Sequence, residues 1–490
     1  MQQRPESNTL PTFSPELKTL HAGLSPTFAA FLDFAEREPE LYALHKFNKF
    51  EESPLMHYDL HRWPTLIDLR RSKLLEEMSL GVCRLIKRAP RRLFGGDAAR
   101  VAAYYGLPLE RARVALEALA LTDDARGAIS RGDFIDSATG MKCLEFNLTA
   151  GLGGWETALQ AELVMQQPAL QRFAKERGLV VHAQDTLHVL FQHLLEDMRR
   201  GVVPWENECN LGVLFPDNDT PDAVGIEMAT ILLNHHLQQV LEPAGVKGEV
   251  LIGTYSEVQD ADGQRFTLRG KRLHGVLEHD ARDRLKLAGP EFDARARAAL
   301  AARTLCLYNG PAQEILDDKR NITLLSEHAE SPLLSDAERE LIRLHIPWSR
   351  KLERAHTTRG GEKVWLPDLA SSRREELVLK AGRDYAGKSV RMGWATPAAE
   401  WDEAIRSALD SGGWVLQERV ESQPYHYLRA DGGVGPHNLI WGPFVFGDLY
   451  GGTMVRMNPA GRGTGIVNTR QGATMCALVI AEETHHTAKH

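Results

Sequence analysis

Arg131 and Asp133 stand two apart in RGDF, and Glu145 and Asn147 stand two apart in EFN, with a turn-forming SATG between the segments. Residues two apart on a strand project from one face, so a hairpin closed at SATG brings Asp133, Glu145 and Asn147 together. Two carboxylates and an amide oxygen suit Mg²⁺, which takes few carboxylates and fills its octahedron with water and phosphate oxygens. Arg131 on that face could hold an anionic reacting group through a forked pair of hydrogen bonds. The same spacing also fits the polar outer face of an exposed hairpin, and spacing alone leaves both readings open.

A second set lies later in the chain. In LVLKAGRDYAGKSV, Lys380 ends an apolar strand, and Gly382 and Gly387 bracket a loop before the next strand. Such a loop can present backbone N–H groups to a triphosphate while the strand-end lysine supplies a point charge. Although Gly382–Ser389 spells GxxxxGK[ST], it is not read as a P-loop, because the strand-like VRMGW and not a helix follows it, and no HRD or DFG follows as in protein kinases. In WVLQERV, Gln417 and Glu418 interrupt an apolar strand of the kind that can flank an adenine. Lys319 opens a helix after DDKRN begins, and Arg456 lies in the strand-like GGTMVRMN.

The elements that must carry these groups follow from periodicity and turn residues. The stretch from Thr9 to about Ala120 reads as helical, with Ser25 a cap and Pro26 at a first helical position. RGDFID and MKCLEFNL read as paired strands. NLGVLF, the helix IEMATILLNHHLQQVLEPAG and GEVLIGTY alternate as a small open α/β sheet. EELVLK, VRMGW and WVLQERV read as strands around a helix capped by Thr396 and ended by Gly412 and Gly413. NLIWGPFVFGD and YGGTMVRMN read as a hairpin. The divisions expected are 1–125 (helical), 126–200 (metal-site hairpin and helices), 201–310 (small α/β, substrate side), 311–480 (nucleotide-binding segments) and 481–490 (tail).

Composition narrows the classes. The 490 residues are 43% hydrophobic and 25% charged, an ordinary globular profile, and 58 basic against 66 acidic residues give a net charge of −8. That balance argues against nucleic acid as a partner. The basic run Arg84, Lys87, Arg88, Arg91 and Arg92 reads as a solvated helix end. Five scattered cysteines form no CxxC pair and read as buried small hydrophobes. No apolar run is long enough for a membrane span and no signal-peptide core is evident, so the expectation is a cytoplasmic protein without membrane partners.

Taken together, the segments resemble the ATP-grasp superfamily, with its metal-binding Asp/Glu/Asn set, two lysines, glycine-rich loop and adenine-flanking strand. Here the metal segment precedes both lysines, an order similar to the circularly permuted branch typified by the synthetase domain of glutathionylspermidine synthase. RGDFIDSATGMKCLEFN is similar to the branch's Arg-x-Asp-Phe, turn, Glu-x-Asn pattern. YNGPAQEILDDKRN resembles its turn into a lysine-bearing helix, with Gly310 inserted between Asn309 and Pro311. LKAGRDYAGKSV resembles its loop, without the usual proline after Lys380 and lengthened by Asp384 and Tyr385. WGPFVFGDLYGGTMVR resembles its terminal arginine hairpin, and the motifs run in order from Arg131 to Asn468.

The resemblance implies a circularly permuted ATP-grasp fold, α+β or α/β in class, with ATP and a pair of Mg²⁺ ions as cofactors. It implies that Asp133, Glu145 and Asn147 hold the metal, and that Lys319, Lys380, Gly382 and Gly387 meet phosphates. Gln417 and Glu418 would line the adenine pocket, and Arg131 and Arg456 would hold the transferring phosphoryl group and an acyl phosphate. The activity implied is ATP-dependent ligation of a small-molecule or peptide carboxylate to an amine. An ATP-dependent phosphotransferase and a catalytically silent nucleotide-binding scaffold remain as alternatives.

Overall fold

The computed structural model describes residues 10–49, 56–124, 126–260, 264–279, 287–383, 389–461, 467 and 472–483. The fold is mixed α+β. The expected hairpin forms: Ile129–Ser137 pairs antiparallel with Gly140–Asn147, and Gly140 closes the turn at φ +98°. It lies at the end of a nine-stranded sheet. Inward come Val434–Phe446, Leu449–Pro459, Thr474–Glu483, Leu60–Ile67 and Lys46–Phe47, while Tyr425–Leu428 and Leu179–His182 pair at its margins. Helix Leu69–Phe94 packs on this sheet. Asp68 caps it by accepting from the Arg71 N–H at 2.8 Å, and Gly95 ends it in the left-handed region. Leu75, Met78, Val82, Leu85 and Ile86 recur at helical spacing and are buried, which fixes the face turned to the sheet.

Three sequence expectations change here. The N-terminal helical region is interrupted by Leu60–Ile67, a strand buried on both faces and therefore without the alternation that marks a strand in sequence. Its Pro64 is accommodated where the parallel register with Thr474–Glu483 shifts between His61 and Thr65. Lys87, expected in a solvated helix end, is buried and donates to the Gly447 carbonyl at 2.9 Å. Ala481, Glu482 and Glu483, expected in the tail, pair instead with Val181, Val180 and Leu179.

The small open sheet is present as four parallel strands in the order Cys306–Tyr308, Gly275–Glu278, Leu211–Phe215, Val250–Thr254. A separate antiparallel sheet orders Ser349–Lys351, Trp414–Glu418, Leu377–Ala381 and Val390–Met392. One face of it buries Leu377, Leu379 and Leu416 against Trp401, Ile405 and Ala370 of the covering helices, a core distinct from that of the large sheet. Alternation then sends Val378, Lys380 and Gln417 to the opposite face. Helix Ala398–Ser411 starts one residue later than expected, with Pro397 at the cap, because the Thr396 hydroxyl donates to the Met392 carbonyl at 2.8 Å. Among the described residues no helix is long and apolar enough to cross a membrane.

Candidate functional site

The hairpin register pairs Asp133 directly with Glu145 and Arg131 with Asn147, so all four share one face. Gly132 makes that possible: a Cβ there would stand 2.3 Å from the Phe134 ring and 2.9 Å from Phe146. A bulge follows, because Phe134 pairs with Cys143 and leaves Leu144 as the extra residue. Arg456 comes to the same face from the neighbouring hairpin, where it pairs with Ile440. Its Nη2 lies 2.7 Å from Asp133 Oδ1, and Arg131 Nε lies 3.4 Å from the same oxygen. Neither contact is in line as a hydrogen bond, so Asp133 Oδ1, Arg131 Nε and Arg456 Nη2 are buried polar atoms without a hydrogen-bond partner.

The two lysines approach from the other side. Lys319 precedes helix Arg320–Glu327, and its Nζ stands 3.6 Å from Glu145 Oε2. Lys380 Nζ donates to Gln417 Oε1 at 2.6 Å and to the bulged Leu144 carbonyl at 3.3 Å. The structure therefore brings Arg131, Asp133, Glu145, Asn147, Lys319, Lys380, Gln417 and Arg456 to one cleft between the hairpin and the smaller antiparallel sheet. Arg131, Asp133, Lys380, Gln417 and Arg456 are each at most 9% exposed.

Gly382, Gly387 and Glu418 stand differently. The Gly382 carbonyl accepts from the Lys319 N–H at 3.0 Å, and its N–H donates to Gly413 at 2.9 Å. A Cβ on Gly382 would meet Arg320 Nε at 2.7 Å, so close packing already requires a glycine there. Gly387 lies outside the described residues. Glu418, next to Gln417 on a strand, points to the other side, where its carboxylate accepts from the Trp348 N–H at 2.8 Å. Only Gln417 of that pair reaches Lys380.

Electrostatics on this face are unbalanced. Burial raises the Asp133 carboxyl, but Arg456 and Arg131 outweigh it and hold the group below its ordinary value. Burial works against the Lys319 charge, yet Glu145, Asp317 and Asp318 raise it overall. Lys380 is pushed down to about 8, first by burial and further by Lys319, with Glu145 opposing. Arg131, Arg456, Lys319 and Lys380 thus face Asp133 and Glu145, with Asp317, which accepts from the Leu148 N–H at 3.1 Å, as a third carboxylate beside Lys319. A buried excess of positive charge is costly unless an anion completes it.

The donor set also fits a hard cation. Asn147 donates through Nδ2 to the Arg131 carbonyl at 3.4 Å, so its amide oxygen is the atom that could coordinate beside Asp133 and Glu145. Among the described residues no group of three or more His, Cys, Asp or Glu side chains could hold a metal ion. Two carboxylates with an amide is the sparse set expected for Mg²⁺ shared with phosphate oxygens, and it does not suit a closed transition-metal site.

Sequence reading missed two features of this cleft. One is the Leu144 carbonyl, exposed by a bulge that no residue type announced. The other is a small apolar cluster of Ile440, Val467 and Ala473, with Ile135 and Leu144 packed on it, beside the charged groups. All five cysteines are buried, as expected. A cavity of about 350 Å³ lies elsewhere, lined by Arg126, Asp197, Arg303 and Cys306 among others. There Arg126 pairs with Asp197 at 3.1 Å, and Arg303 donates to the Arg200 carbonyl at 2.6 Å. The charged cleft is the one that gathers the residues singled out in the sequence.

No protein-family model matches the chain, and no curated protein matches its sequence. Among solved structures, the "Putative gamma-glutamylcysteine synthetase" of Methylobacillus flagellatus KT is similar in part, with 13% identity and a TM-score of 0.40. The similarity covers 82% of this chain and 87% of that one. A likeness of that degree carries no functional inference.

Proposed function

We propose that the cleft binds ATP and that the protein is an ATP-dependent carboxylate–amine ligase, a circularly permuted ATP-grasp enzyme. The observation that carries this reading is the largely buried cluster in which four cations, Arg131, Arg456, Lys319 and Lys380, gather around Asp133, Glu145 and Asp317. A triphosphate is the anion such an excess accommodates, and the apolar cluster around Ile440 and Leu144 offers a surface for a base.

The chemistry asks for charge management. A substrate carboxylate attacks the γ-phosphorus, ADP leaves, and an acyl phosphate forms; an amine then attacks the acyl carbon and phosphate departs. Asp133, Glu145 and Asn147 would hold Mg²⁺, which when bound neutralises phosphate oxygens and orients them for in-line transfer. Lys319 and Lys380 bind the nucleotide phosphates. Arg131 is anchored by donating to the Gly153 carbonyl at 2.9 Å, and with Arg456 it is poised to hold the transferring group. Asp133 keeps both guanidiniums in place before substrates arrive, so their orientation costs nothing during reaction. No nucleophilic side chain is required.

The substrates are a small-molecule or peptide carboxylate and an amine, and the expected setting is cytoplasmic. The test is ADP release and amide formation by mass spectrometry across pools of acids and amines with Mg²⁺. ADP release that requires both an acid and an amine supports the ligase. Release with acid alone and a stable phosphorylated product would mean a phosphotransferase, and nucleotide binding without any ADP release would mean a catalytically silent scaffold.

A further inference from the structure

We propose that Gln417 is a positioning residue for Lys380 and does not read the nucleotide base. The inference rests on the reading of the cleft as an ATP site.

Gln417 is 2% exposed and sits on the strand paired with that of Lys380. Its two amide atoms are used in opposite senses. Oε1 accepts from Lys380 Nζ at 2.6 Å, and Nε2 donates to the Leu144 carbonyl at 3.4 Å. Chemistry fixes which way the amide points, because the flipped amide would set an NH₂ against an ammonium. Lys380 Nζ also donates to the Leu144 carbonyl, at 3.3 Å, so lysine, amide and carbonyl form a closed triangle. That carbonyl belongs to the bulged residue of the hairpin, and its neighbour Glu145 faces the cleft.

The triangle has a consequence for phosphate binding. A lysine has four side-chain torsions and many positions for its charge, and fixing them costs entropy at each binding event. Held by Gln417 and Leu144, the ammonium is already presented beside Glu145 when the nucleotide arrives. One of its three donors remains for a phosphate oxygen. Gln417 therefore acts on the nucleotide only through Lys380. Base recognition falls to the apolar cluster and the main chain.

A double-mutant cycle separates the two roles. The variants are Gln417→Leu, Lys380→Met and both together, with Gln417→Met as a second variant should the leucine destabilise the sheet. Affinities for a non-hydrolysable ATP analogue, its GTP counterpart and inorganic tripolyphosphate are measured by calorimetry with Mg²⁺. Loss of a hydrogen bond to a charged group predicts a fall of about tenfold or more for Gln417→Leu. The fall is expected to be equal for all three ligands and absent when Lys380 is already Met. A loss confined to the ATP analogue, or one that adds fully to that of Lys380→Met, would overturn the positioning role and make Gln417 a base reader. If Lys380→Met itself binds all three ligands as tightly as the wild type, this inference fails; if the wild type binds none of them, the ATP-site reading fails and this inference with it.

Discussion

The large sheet and the smaller antiparallel sheet meet at the cleft but are built on different terms. The large sheet shares one continuous core with helix Leu69–Phe94; its end hairpin contributes both carboxylates and Arg131, and the neighbouring hairpin contributes Arg456. The smaller sheet closes its own core around Trp401 and contributes a lysine and an amide. Where the two approach at the cleft, the contacts are polar: Lys380 and Gln417 to Leu144, and the Lys319 N–H to Gly382. On the proposed reading, the hairpin side would manage the reacting charge and the smaller sheet would hold the nucleotide.

Substitutions on each side sharpen that division. The largest effect is expected for Asp133→Ala, which leaves Arg131 and Arg456 buried without their counter-ion. It should cost about 3 kcal/mol of stability and reduce amide formation by about a thousandfold or more. Thermal melts and turnover check it, and a variant as stable as the wild type would show that the arginines are held by something else.

Next is Arg131→Ala, expected to lower turnover by about a hundredfold while ATP-analogue affinity stays within a small factor, because charge gathers on those oxygens during transfer. Affinity collapsing at normal turnover would make Arg131 a ground-state ligand and erase the difference between the two sides.

The contrast also shows what sequence could and could not reveal. RGDF and EFN disclosed the hairpin, its face and its pairing, because period-two spacing on strands maps directly onto sides of a sheet. Lys319 and Lys380 were recognisable from their places at a helix start and a strand end. The Leu144 bulge was not, since it inserts a residue without any glycine or proline to mark it. Strand Leu60–Ile67 was hidden for a related reason: burial on both faces removes the alternation by which strands are read. Glu418 and Gln417 were grouped by adjacency, yet neighbours on a strand face opposite ways.

A smaller effect is expected from Trp401→Phe in the core of the smaller sheet, where the indole N–H donates to the Ala370 carbonyl at 2.9 Å. Loss of that buried bond and of some volume should cost about 1–3 kcal/mol, with nucleotide affinity falling severalfold and Arg131-dependent chemistry on bound ATP unchanged. Single-turnover kinetics at saturating ATP check this, and a matching loss in the chemical step would mean that the two sides are not separable.

The mildest is pH. Lys380, lowered to about 8 chiefly by burial, carries its charge below that value and loses it above. Nucleotide affinity should therefore be full near pH 7 and decline as pH rises through about 8, and the decline should vanish in Lys380→Met. Calorimetry from neutral to alkaline pH checks the sign. An affinity that rises with pH would contradict the assignment of Lys380 to phosphate.

The central claim, that the excess of buried positive charge is a triphosphate site, is tested most directly by calorimetric titration of the intact protein with a non-hydrolysable ATP analogue and Mg²⁺. The account predicts saturable binding at one site per chain, lost on adding Mg²⁺ chelator and weakened at least tenfold in Lys319→Met and in Lys380→Met. Binding that ignores both lysine substitutions, or no binding at all, would contradict it.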